Sequence, residues 1–124
     1  MITIIARWTI LEGKRDPAVA ALKILEQEVK NKEPFVLMYT IHVPNMKLVS
    51  FPTPAPSEVI FVSTFLDEAS FKKHLDGPVF QDWVKIYGEN FLMNNGNLFV
   101  ISEWIERIAG YIRQDMVTDP SARA

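Results

Sequence analysis

Apolar and polar residues alternate from the first positions of the chain. Ile2, Ile4, Ala6, Trp8 and Ile10 fall on one side of an extended segment, and Thr3, Ile5, Arg7 and Thr9 on the other. The β-branched content of residues 2–10 predicts a strand. The period changes after Glu12-Gly13-Lys14. Ala18, Leu22, Leu25 and Val29 recur at spacings of three and four, with Lys23, Glu26 and Lys30 around the remaining surface, and this predicts a helix. Asp16-Pro17 marks its start, with Asp as a cap for free N–H groups and Pro as a first-turn residue. The helix ends near Asn31-Lys32, because Pro34 disfavours helical backbone before it.

A second strand is expected over about 35–43, with Tyr39 and Ile41 facing one way and Met38, Thr40 and His42 the other. Pro52, Pro54 and Pro56 alternate within 51–56 and cannot sit inside a sheet, so this stretch is a stiff, extended connection. A third strand follows over 59–65. Asp67 caps a short helix carrying Phe71 and Leu75; Gly77-Pro78 breaks it and starts another, with Phe80, Trp83, Val84, Tyr87 and Phe91 at helical spacing. Asn94-Asn95-Gly96-Asn97 predicts a turn, since Asn and Gly tolerate positive φ. A fourth strand is expected over 98–104, and a further helix over 105–115 through Ile105, Ile108 and Ile112. The order is β-α-β-β-α-β, the split pattern of an α+β, ferredoxin-like fold with an antiparallel four-stranded sheet. One domain is expected over 1–116, with a polar tail over 117–124. Helices on one face leave the other face of the sheet in need of cover, and both faces carry apolar residues. The expected cover is a second copy, giving a homodimer through the sheets.

Composition narrows the function classes. A chain of 124 residues suits one domain and excludes the large two-domain and barrel enzymes. A net charge of −2 and the lack of a basic stripe argue against nucleic acid as a partner. No apolar run approaches the ~18 residues of a spanning helix, and no leader is visible, so a soluble, cytoplasmic protein without a membrane partner is expected. There are no cysteines, which removes thiolate metal sites and Cys nucleophiles. His42 and His74 lie far apart without a metal-ligand motif, and the five glycines form no dinucleotide or phosphate loop. No metal, flavin or haem is therefore expected.

Large rings and a few polar groups remain. Trp8, Tyr39, Phe65, Phe71, Trp83 and Trp104 can be core packing, or they can line a pocket for a flat organic ligand. Phe71, His74 and Leu75 lie on one side of the short helix, with His74 at the edge of the apolar stripe. His74 is either a rim residue held by a backbone carbonyl or a proton donor or base beside a ligand oxygen. Arg7, in mid-strand, needs a partner, and Glu103 on the fourth strand is the candidate.

Two segments resemble the antibiotic biosynthesis monooxygenase family. Glu33-Pro34-Phe35-Val36-Leu37-Met38-Tyr39 is similar to the family's Glu-Pro-Gly-x-x-x-Tyr entry to strand two, with Phe35 in place of Gly. Residues 65–80, with Asp67, Phe71, His74, Leu75, Pro78 and Phe80, are similar to its Asp-x-x-Ala-Phe-x-x-His-Leu-x-x-Pro-x-Phe segment. The resemblance, over residues 2–104, implies a dimeric α/β barrel and a cofactor-independent monooxygenase acting on a phenolic, quinol or polyketide-type aromatic with O₂. It implies His74 and Tyr39 as catalytic groups, and Trp83, Phe65, Phe71 and Trp8 as substrate contacts, with Trp83 stacking on the ring. Strand three ends Ser63-Thr64-Phe65 where many members carry Glu-x-Trp or Glu-x-Tyr. Phe65 and Val84 stand near the positions of the Trp and His of haem-degrading relatives, so haem degradation is not expected. The alternatives on the same scaffold are a non-catalytic dimeric small-molecule binding protein and a cofactor-free isomerase or cyclase.

Overall fold

The structure, a computed structural model, describes residues 1–116. Its elements are β1 (Ile2–Thr9), α1 (Arg15–Lys32), β2 (Val36–His42), β3 (Glu58–Phe65), α2 (Glu68–Asp76), α3 (Pro78–Tyr87), β4 (Met93–Asn94), β5 (Asn97–Leu98) and β6 (Ile101–Ile105). The main sheet has the order β2-β3-β1-β6, and each neighbouring pair is antiparallel. β1 and β2 therefore run parallel with β3 between them, which is the split βαβ arrangement of the ferredoxin-like fold.

The alternation in β1 divides the two faces as its sequence indicates. Ile4 and Trp8 are buried on the inner side, opposite Ser63 and Val59 of β3. α1 lies over this side through Ala18, Ala21, Leu22, Leu25 and Val29, all buried. Trp8 is the hub of the core: its ring lies 4.3 Å from Phe61, 5.6 Å from Trp83 and 5.5 Å from Phe91, centroid to centroid. On the outer side Thr3 and Thr64 share a hydroxyl hydrogen bond of 2.9 Å, and Ile5, Ile60 and Val62 stay partly exposed.

Four local expectations need correction. α1 begins at Arg15 with Lys14 at its boundary, and no side chain caps it; Asp16 sits inside the first turn, where its charge faces the positive end of the helix. The last strand of the sheet starts at Ile101, not Leu98. Asn95 and Gly96 both take positive φ (53° and 81°), which closes a tight hairpin and draws Leu98 into β5 opposite Met93. No helix covers 105–115: Ile105 ends β6, and beyond it only Gln114–Met116 forms a single turn. Gly110 takes φ 134°, and Ile108, Tyr111 and Ile112 are exposed, so an isolated helix here would have no packed face to hold it. Arg7 pairs with Glu58, not Glu103, at 2.9 Å. Glu58 and Glu103 stand opposite Thr9 and Ile5, each one step from Arg7 on the same face, and the Arg7 side chain turns to the β3 side.

Candidate functional site

A cavity of about 450 Å³ lies between the inner face of the sheet and the α2–α3 pair. Ile4, Ala6, Trp8, Phe61 and Phe65 form its floor, Phe71, Leu75, Phe80 and Val84 its helical wall, and Leu98, Val100 and Trp104 its third side. The volume lies within the range of small-molecule sites. Polar groups on the wall are few: Tyr39, Ser63, His74, Gln81, Asn97 and Ser102.

His74 is placed by α2. Asp67 starts that helix by accepting the Ser70 backbone N–H at 2.8 Å and the Ser70 hydroxyl at 2.7 Å. These bonds, the hydroxyl's first, hold the Asp67 carboxyl below its ordinary pKa. Two turns on, His74 points inward among aromatic rings. Its ring centroid lies 5.4 Å from Tyr39, 5.4 Å from Phe65 and 5.5 Å from Phe80. The series continues from Phe65 to Phe71 (5.1 Å) and from Phe71 to Trp104 (4.8 Å). His74 is thus no rim residue: it is 4% exposed.

Its partner is a carboxylate, not a backbone carbonyl. Glu33 Oε1 lies 2.6 Å from His74 Nδ1. Glu33 is the C-terminal boundary residue of α1; its N–H donates to the Val29 carbonyl, and its backbone turns extended (φ −124°, ψ 75°) as Pro34 requires. This places the end of α1 beside α2 and sends the side chain inward, where it is almost wholly buried. The ring nitrogen left to face a ligand is Nε2. A neutral imidazole held by Glu33 carries its proton on Nδ1 and presents Nε2 as an acceptor.

Tyr39 reaches the same wall from β2. Burial, and then the charge of nearby Glu33, pushes its phenol above the ordinary value. Tyr39 therefore keeps its phenol proton and is a hydrogen-bond donor across the neutral range.

The structure brings five of the six expected site residues to one cavity: Trp8, Tyr39, Phe65, Phe71 and His74. Trp83 is elsewhere. Its indole N–H donates to the Ala21 carbonyl of α1 at 2.7 Å, and its ring packs behind Trp8 against Phe91. It braces α3 against α1 and does not line this cavity. Glu33, Ser63 and Ser102 were not anticipated. Glu33 had a signal: it continues the buried α1 series of Ala18, Leu22, Leu25 and Val29 by one more step of four, so a carboxylate stands where the pattern calls for an apolar residue. Among the described residues no group of three or more His, Cys, Asp and Glu side chains is arranged to hold a metal ion, and no helix is long and apolar enough to cross a membrane.

Solved structures share this fold. A protein described as a putative antibiotic biosynthesis monooxygenase from Caulobacter crescentus superposes with a TM-score of 0.69 at 14% identity, covering 87% of this chain and 90% of that one. A protein from Pseudomonas aeruginosa gives 0.66 at 19% identity, over 87% and 94%, and one from Shewanella oneidensis 0.62 at 23%, over 84% and 89%. No curated protein sequence matches the chain. At these identities the solved structures establish the fold alone. The family description "antibiotic biosynthesis monooxygenase" matches residues 1–86. That span runs from β1 into the last turn of α3, including both members of the Glu33–His74 pair, and the chain belongs to the antibiotic biosynthesis monooxygenase family.

Proposed function

We propose that the protein is a cofactor-independent monooxygenase that oxidises a flat phenolic, quinol or anthrone-type aromatic with O₂. The observation that carries this reading is an aromatic cavity whose wall carries a buried histidine, His74, bonded through Nδ1 to the Glu33 carboxylate. An electron-rich anion of such a ligand can reduce O₂ without help, so the protein has three tasks. It must bind the ring, remove a proton and keep water out. Trp8, Phe65 and Phe71 bind the ring, Nε2 of His74 takes the proton, and the Tyr39 hydroxyl donates to the developing oxyanion.

For an anthrone the balance is simple. Loss of a proton gives the enolate, one electron passes to O₂, and the radical pair joins as a carbon-bound peroxide. Loss of water leaves a carbonyl, so a CH₂ and O₂ become C=O and H₂O. His74 returns its proton to the departing oxygen.

The outer face of the sheet, with Ile5, Ile60 and Val62 partly exposed and Ile101 and Ile105 of β6 exposed, is covered in this reading by the same face of a second copy. Burial of apolar surface is worth ~25 cal/mol per Å².

Oxygen uptake with dihydroxyanthrone, followed by mass analysis of the product formed under ¹⁸O₂, tests the activity. One labelled oxygen per product supports it. Tight binding without oxygen uptake would leave a binding protein in its place, and an unlabelled rearranged product would indicate an isomerase or cyclase.

A further inference from the structure

We infer that Glu33 is a positioning residue of this cavity, and that its buried carboxylate selects aromatic ligands that enter uncharged and carry a proton to give up. The inference rests on the proposed role of His74 as the base.

The geometry has two parts. Glu33 Oε1 and His74 Nδ1 are 2.6 Å apart, with both side chains 5% exposed, so the ring has one orientation and Nε2 is its free acceptor. The other carboxylate oxygen, Oε2, is packed towards Gly77, 3.6 Å from where a Cβ would stand on that residue. The neighbouring cations are engaged elsewhere. Lys32 pairs with Glu28 at 2.6 Å, and Lys73 lies over the Phe35 ring at 4.7 Å. None of the described residues lining the cavity is Lys or Arg.

With His74 neutral, as a base must be, the pair carries one negative charge that only a proton on His74 can balance. A neutral phenol or enol supplies that proton. Transfer to Nε2 leaves an imidazolium between two anions, the Glu33 carboxylate and the new oxyanion, and the net charge of the site does not change. A ligand that brings its own carboxylate adds a second negative charge to an apolar space with no cation to meet it. The site therefore discriminates between two ligands of the same shape by charge.

The test compares dihydroxyanthraquinone with its ring-carboxylated analogue, reading binding by quenching of the Trp8 and Trp104 fluorescence. In the wild type the carboxylated compound should bind at least roughly tenfold more weakly, the scale for like charges ~8–10 Å apart at an effective dielectric of ~20. Glu33→Gln keeps an oxygen that can accept from Nδ1–H and removes the charge. It should close most of that gap and lower kcat for dihydroxyanthrone while changing KM little. Glu33→Asp keeps the charge and loses reach, so it should retain the discrimination while kcat falls. Equal or tighter binding of the carboxylated compound by the wild type overturns the inference, as does an undiminished gap in a folded Glu33→Gln. Should that variant not fold, the wild-type and Glu33→Asp comparisons decide. Because the readout is binding, a lack of oxygen uptake would count against the proposed oxidation without deciding this point.

Discussion

Glu33 and His74 stand 41 positions apart in the chain and meet through a 2.6 Å contact inside the protein. One ends α1, the other lies in α2, and each is the other's only charged partner among the described residues. The site and the stability of this region therefore depend on the same contact.

His74→Ala should consequently lose stability as well as turnover. Removing the imidazole leaves a buried, unpaired carboxylate, a change that typically costs ~3–5 kcal/mol. Turnover should fall by ~10²–10⁴, the usual contribution of a general acid or base. Adding Glu33→Gln to His74→Ala should recover part of the stability, because no charge is then stranded, and should recover no turnover. Denaturant melts of the two variants check the first statement and oxygen uptake the second.

Tyr39 should remain protonated in the folded protein at pH values where the same phenol ionises in the unfolded chain. The sign follows from the raised pKa. Below the phenol's ordinary value of 10.0 both states hold the proton, and the contribution is fully present. As pH rises beyond it, the unfolded chain ionises while the native one does not, so stability falls. Absorbance titration at 295 nm should show a tyrosine step that appears only as the protein unfolds, and Tyr39→Phe should remove that step.

Gly77→Ala should destabilise the protein by ~1–3 kcal/mol, in the range for a forced steric clash. A Cβ there would stand 2.7 Å from the Lys73 carbonyl oxygen, inside any allowed contact. A melt measures the loss.

Trp83→Phe should cost ~0.5–1.5 kcal/mol, because the buried hydrogen bond from the indole to the Ala21 carbonyl is lost. Affinity for dihydroxyanthraquinone should change by less than about threefold, below ~0.7 kcal/mol, since Trp83 does not line the cavity. A large loss of affinity would restore Trp83 as a ligand contact.

Light scattering at micromolar concentration should give twice the 14.2 kDa chain mass. Ile60→Asp, which puts a charge on the outer face of β3, should shift the mass to that of a monomer and leave the helical content by circular dichroism unchanged.

Local chemistry made much of this protein legible from its sequence. Alternation in β1, the four-residue steps of α1, the Asp67 cap, the Gly77-Pro78 break and the Asn95-Gly96 turn each act through neighbours a few residues away. They determined the elements, their order and the inner face of the sheet. The same patterns misplaced the start of the last strand, and a helical-looking series at 105–115 found nothing to pack against. Tertiary structure alone decided which groups act together. It paired Arg7 with Glu58, sent Trp83 to the Ala21 carbonyl and joined Glu33 to His74. Periodicity reports which side of an element is buried. It does not report what lies across the gap, because that depends on how α1, α2 and the sheet are packed, and so the carboxylate that holds His74 appeared only with the fold.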